Sequence, residues 1–99
     1  MKELEYRTSR LFRALGSPIR YQIIKALTKG RRRPADLKQL LKRSLKTTSS
    51  HLAVLRAADL VRYDWEKGTM WYWLKHERLT ALLDLAEKQA EAMKSEPKD

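Results

Sequence analysis

A change of apolar period at Leu60 limits the fold more than any other feature of this chain. Up to Leu55 the aliphatic residues recur every three or four positions, as one face of a helix requires. From Leu60 to Leu74 aromatic and β-branched residues crowd into two short runs, "LVRYDW" and "TMWYWL", separated by the turn "EKG". Helical spacing then returns. The pattern predicts one antiparallel hairpin set among helices, and a chain of 99 residues has material for only one core that both must share. We therefore expect a single domain over residues 1–94 and a frayed tail over 95–99.

Glycine and proline place the helix boundaries. Leu4, Leu11, Phe12 and Leu15 form one stripe that ends at Gly16. Ser17 and Pro18 suit an N-cap and a first helical position, and Ile19, Ile23, Ile24 and Leu27 follow on a second stripe up to Gly30. After Arg31, Arg32 and Arg33, Pro34 opens a short helix with Leu37, Leu40 and Leu41 expected inward. A fourth helix is expected from about Lys46 to Ala58 with Thr48, Leu52 and Leu55 on its inner side, and a last one carries Leu79, Leu82, Leu83, Ala86, Ala90 and Met93. The order is α-α-α-α-β-β-α, mainly α with a β-hairpin.

Charge narrows the choice of partners. Lys and Arg total 22 against 12 acidic residues, a formal +10 with a pI near 10.2. The excess is local: residues 29–46 hold eight basic side chains and one acid. Such a block favours a polyanion, with nucleic acid ahead of an anionic membrane; a solvated basic face is the bland alternative. There is no cysteine, so neither a disulfide framework nor a thiolate metal site is available. No apolar stretch approaches the length of a membrane span, so a soluble cytoplasmic protein is expected. Two histidines 25 positions apart and three glycines offer no nucleophile–base pair and no phosphate loop, so no enzyme and no cofactor are expected.

Two short helices with a tight connection, followed by a hairpin, are the parts of a winged helix-turn-helix. In sequence, too, the chain resembles the ArsR-type (arsenic and metal repressor) family over roughly residues 10–75. "LFRALGSPIRYQIIKAL" is similar to that family's opening, with Ala14, Leu15, Pro18, Arg20, Ile23 and Leu27 matching. "TTSSHLAVLRAADLV" resembles its recognition helix, and "EKGTMWYWL" its wing. Three departures stand out. "KRSLK" lacks the usual small residue before the recognition helix and has Arg43 where an aliphatic is usual. The wing is one residue short. The thiolate cluster of metal-sensing members is missing from "KGRRRPADL", and His76, Glu77 and Asp84 are the only nearby ligand candidates on the last helix, so no metal is expected.

The resemblance implies a dimeric, sequence-specific double-stranded DNA-binding regulator, a repressor, with a recognition helix at about 46–58 and a wing at 62–73. With Leu52 at the centre of the buried stripe, 100° steps put Lys46, Ser49, Ser50, Ala53 and Ala57 on the opposite face, Thr47 at its edge and Thr48 inward. Lys46, Thr47, Ser49 and Ser50 are the candidates for bases and phosphate, against the simpler reading that the hydroxyl run caps the helix. His51, at the flank, is either a boundary histidine satisfied by a carbonyl or a phosphate contact. Arg31, Arg32, Arg33, Lys42 and Arg43 are candidate phosphate ligands, as are Arg62 and Lys67 on the wing. Met70, Tyr72 and Leu74 are expected to pack inward. Trp71 and Trp73 share the other strand face, to be covered by stacking on the first strand or by a dimer mate or DNA sugar. Leu4, Leu11, Leu82, Leu85 and Met93 are candidates for the dimer interface, and a two-fold dimer predicts a quasi-palindromic site. A non-specific architectural nucleic-acid binder and a winged-helix protein-interaction module remain the alternatives; no effector can be read.

Overall fold

A computed structural model describes residues 2–94. The elements run α1 (Glu3–Leu15), α2 (Pro18–Leu27), α3 (Pro34–Leu41), α4 (Leu45–Ala57), β1 (Val61–Glu66), β2 (Thr69–Leu74) and α5 (Arg78–Lys94), in the expected order. The tail expected at 95–99 lies outside the described residues.

Local chemistry sets the helix ends. Ser17 Oγ accepts the Arg20 amide at 3.3 Å, with Pro18 next in the chain where its missing N–H costs nothing. At α3 the Asp36 carboxylate accepts the Arg33 amide (3.0 Å) and two guanidinium donors (3.0 and 2.8 Å). A guanidinium has no acceptor, so only the carboxylate half of a capping box operates here. The Arg33 side-chain and backbone donors hold the Asp36 carboxyl at about 2. Helices α3 and α4 end alike. Lys42 (φ 55°) and Asp59 (φ 66°) are left-handed, with return bonds from Lys42 to Gln39, Arg43 to Lys38, Asp59 to Arg56 and Leu60 to Leu55. The turn at "KRSLK" is thus made without glycine, by a lysine in a conformation that disfavours a Cβ.

Helices α2, α3 and α4 form the centre of the fold. Ile23, Ile24, Leu37, Leu52, Leu55 and Thr48 are almost wholly buried, and Ala14, Val61, Tyr72, Leu79 and Leu83 close the core from the other elements. The Thr48 hydroxyl donates to the Ser44 carbonyl at 2.9 Å, so its burial leaves no unpaired polar atom. Leu40 departs from expectation: it is 60% exposed. The eight-residue α3 rests on its neighbours through the i,i+4 pair Leu37 and Leu41, too narrow a stripe to include a third position.

The strands pair antiparallel from Val61↔Leu74 to Glu66↔Thr69. Both residues of the connecting turn have positive φ, Lys67 at 52° and Gly68 at 78°, the signature of a tight primed hairpin turn. Tyr72 is buried and stacks on Tyr63 across the pair at 5.5 Å, while Met70 and Leu74 are half-buried on the same face. The chain between α2 and α3 adds a short third edge, since Arg32 exchanges both backbone bonds with Tyr72 (3.1 and 2.8 Å). That bridge sets Arg31 opposite Trp73 and Arg33 opposite Trp71. Their guanidinium carbons lie 4.3 and 5.6 Å from the ring centres. Stacking on β1 does not occur, because the residues across from the tryptophans are Arg62 and Asp64. The arginine triplet is what covers them.

Helices α1 and α5 reach beyond this body. The radius of gyration is 15.0 Å, against about 13 Å for a compact chain of this length. Leu4, Phe12, Leu85 and Met93 are each at least 60% exposed, whereas Leu11 and Leu82 lean on the core. Glu87 fastens α5 to α2 through Lys25 (2.5 Å) and the Tyr21 hydroxyl. Among the described residues, no helix is long and apolar enough to cross a membrane.

Two outcomes are expected in equilibrium denaturation. Lys42→Gly relieves the left-handed strain and raises stability by about 0.5–1 kcal/mol, less than the roughly 1–2 kcal/mol steric cost because glycine loses more entropy on folding. Because the folded pKa of Asp36 lies below its unfolded value, its contribution is complete above about pH 4 and fades as pH falls toward 2. With its side chain one-third exposed, that contribution is about 1 kcal/mol or less, and Asp36→Asn removes this part of the acid dependence.

Candidate nucleic-acid interface

The first turn of α4 leaves free amides, and one side-chain acceptor, Ser44, caps it. Ser44 Oγ accepts the Thr47 amide at 3.0 Å and donates to Thr47 Oγ1 at 3.0 Å. Helix α4 accordingly begins at Leu45, one residue before the expected start, and ends at Ala57. Of the four hydroxyls that follow, Thr47 is half-buried beside this cap and Thr48 is sealed in the core, leaving two over. Ser49 and Ser50 are exposed, and Lys46 beside them is exposed too. Among the described residues, none of these three side chains has a hydrogen bond or ion pair within the chain. Ala53 and Ala57 continue the same exposed face with side chains too small to hold a neighbouring surface away.

His51 is half-buried, but its partner is not the carbonyl expected. Arg20 Nη1 lies 3.3 Å from its Nδ1, and since a guanidinium can only donate, Nδ1 is the acceptor and the ring proton sits on Nε2. Arg20 also donates to the carbonyls of Ala14 (2.7 Å) and Arg13 (3.3 Å), so one side chain ties the end of α1 to α4. Sequence reasoning matched Arg20 to a motif without seeing this link. A second missed link is Arg56, on the last turn of α4, whose guanidinium lies 4.8 Å from the Tyr63 ring and joins α4 to β1.

The remaining candidates fall into two groups. Arg31 and Arg33 are committed within the chain: Arg31 to Glu66 (3.5 Å) and Trp73, Arg33 to Asp36 (2.8 Å) and Trp71. Arg32 is half-buried, with its backbone in the sheet and Nη1 on the Arg31 carbonyl at 3.0 Å. Lys42 and Arg43 at the turn, and Arg62 and Lys67 on the wing, are exposed; among the described residues they take part in no ion pair. Three of the nearby acids are neutralised in place, Glu66 by Arg31, Asp36 by Arg33 and Asp59 by Lys75 (2.5 Å), while among the described residues Asp64 on the wing accepts only the Trp65 amide. The carboxyl of Asp59 is held below its usual range chiefly by the Lys75 ammonium. What is left around the start of α4 is an excess of positive charge, from Lys42, Arg43, Lys46, Arg62 and Lys67 against Asp64. Trp65, 62% exposed near the wing tip with Met70 across from it, is a further exposed group that the sequence reading passed over.

The donor set for a metal does not fit. The chain has no cysteine, and among the described residues no three His, Asp or Glu side chains converge. His76, one of the candidates, faces Asp59 at 3.9 Å.

The family model for bacterial regulatory proteins of the arsR family matches residues 17–63, from the Ser17 cap through α4 into β1. No curated protein matches the chain. Among solved structures, HlyU from Vibrio cholerae N16961 is 27% identical, with a TM-score of 0.81 over 90% of this chain and 97% of that one. The transcriptional regulator HlyU from Vibrio vulnificus CMCP6 is 29% identical, with a TM-score of 0.76 over 88% and 91%. Mb0332 from Mycobacterium bovis is a homodimeric winged helix-turn-helix DNA-binding domain described as a possible ArsR-family transcriptional regulator. It is 25% identical, with a TM-score of 0.84 over 97% of this chain and 90% of that one. From the element order and these structures together, the chain is a winged helix-turn-helix protein, similar to the arsR family over residues 17–63 and without the cysteines of a thiolate metal site.

Proposed function

We propose that this protein is a sequence-specific double-stranded DNA-binding transcriptional regulator, a repressor, working in the cytoplasm on the nucleoid. The observation that carries the reading is the start of α4. Lys46, Ser49 and Ser50 are exposed together, without partners among the described residues, on the helix face opposite Thr48, Leu52 and Leu55. Short hydroxyls reach base edges at hydrogen-bonding distance, and the lysine serves guanine or phosphate. Thr47 joins them from the edge, and His51 does so through its Nε2 proton while Arg20 holds Nδ1. Lys42, Arg43, Arg62 and Lys67 supply backbone contacts on either side. In this reading Arg31 and Arg33 act chiefly by stiffening the wing, with their remaining N–H donors free for phosphate, and Arg32 is a backbone anchor.

The working unit in this proposal is a homodimer of a single domain spanning 1–94. Exposed Leu4, Leu85 and Met93, with Leu11 and Leu82 beneath them, form apolar surface on two projecting helices. Mb0332, similar in fold throughout, is homodimeric. A two-fold axis spaces the two α4 helices about one DNA turn, roughly 34 Å, and calls for a quasi-palindromic operator.

Selection of bound sequences from random duplex DNA near physiological salt tests this. A two-fold symmetric motif that survives excess competitor is the expected result. Binding stripped by random duplex contradicts sequence specificity, and no retained DNA contradicts the reading altogether. The double variant Lys46→Glu, Ser50→Glu should lose about 100-fold or more in affinity for the selected site, at about 1–3 kcal/mol per contact. Its thermal stability should not change, because both side chains are exposed.

A further inference from the structure

Toward the C-terminal end of α4, further along the side that carries Lys46 and Ser50, α1 and α4 enclose a cleft of about 350 Å³. Arg10, Arg13 and Arg20 line it, Tyr6 forms a wall, and Val54 and Ala57 form an apolar floor. No carboxylate lines it, and among the described residues neither Arg10 nor Arg13 has an ion pair. Three guanidiniums held around an apolar floor suit a small anion with an apolar body, charge at one end and a flat hydrocarbon face at the other. Val54 lies eight residues past Lys46, about 12 Å along the helix from its groove-facing end. On α1, 100° steps put Tyr6, Arg10 and Arg13 on the side opposite Leu4, Leu11 and Leu15, so a dimer formed through that leucine stripe leaves the cleft open.

We propose that this cleft binds a small amphipathic anion, of the aromatic carboxylate class, and that Arg20 transmits its presence to α4. Arg20 already divides its donors between α1 carbonyls and His51 Nδ1. An anion competing for those donors alters the α1–α4 tie, and by linkage DNA and anion alter each other's affinity. That coupling rests on the DNA-binding reading; anion binding itself does not.

The test uses the full chain without DNA, at constant ionic strength, with benzoate as probe and inorganic phosphate as the charge-only comparison. Chemical shifts of the two histidines report directly, because His51 touches Arg20 while His76 lies on the α5 side beside Asp59. Saturable benzoate binding at about 1 mM or tighter is expected, with His51 shifting, His76 unmoved and phosphate weaker. Arg10→Gln with Arg13→Gln should weaken benzoate at least tenfold, and Lys88→Gln with Lys94→Gln, a loss of equal charge elsewhere, should not. Absence of saturation, equal loss in both pairs, or phosphate binding as tightly as benzoate overturns the proposal. So does a result in which the arginine pair weakens duplex DNA tenfold while benzoate fails to saturate, because the arginines are then phosphate contacts.

Discussion

The burial of Thr48, Leu52 and Leu55 along one side of α4 fixes nearly everything else about this protein's outer surface. Once that stripe is locked against Ile23, Ile24 and Leu37, the helix has no rotational freedom, and whatever lies opposite must face outward. Thr48 makes the lock polar as well as apolar. Its hydroxyl reaches back to the Ser44 carbonyl at 2.9 Å, inside the turn that Ser44 caps with its own side chain. One serine and one threonine thus cap and anchor the helix start, and Ser49 and Ser50 keep their hydrogen-bonding capacity for something outside the chain.

The second organising device is the pairing of arginines with tryptophans along an edge that is barely a strand. A single backbone bridge at Arg32 and Tyr72 sets the alternation, and alternation alone then delivers Arg31 to Trp73 and Arg33 to Trp71. Each arginine is also neutralised, by Glu66 and Asp36 respectively. The wing is in this way attached to the segment leading into α3 on one face and to α4 through Arg56 and Tyr63 on the other. A two-residue hairpin turn and a two-stranded sheet would be weak by themselves. Bound on both faces, they keep a defined position relative to the start of α4.

Much of this was legible in the residues, and the reasons for the exceptions are physical. The inward stripe of α4, the Ser17–Pro18 start of α2 and the change of period at Leu60 are local signals, set by spacing within a few residues, and each was read correctly. Leu40 was misplaced because periodicity does not say how wide a stripe a short helix buries. Lys42 was missed as a helix stop because the left-handed position usually holds glycine, and only the return bonds of Arg43 and Lys42 identify it. The cover over Trp71 and Trp73, and the contact between Arg20 and His51, join residues far apart in sequence, so no local pattern can announce them. The arginine triplet reads in sequence as a phosphate clamp or a solvated run; in the fold, Arg31 and Arg33 are each paired with an acid and a tryptophan.

The most direct measurement of the central claim is a map of backbone amide shifts as duplex carrying the protein's site is added to the labelled chain. If α4 presents its start to DNA, the largest perturbations fall on residues 46–51, with smaller ones at 42–43 and 67, and they fade as salt is raised. Perturbations gathered on α1 and α5 with residues 46–51 unmoved would contradict the account, because the exposed hydroxyls would then be facing only water.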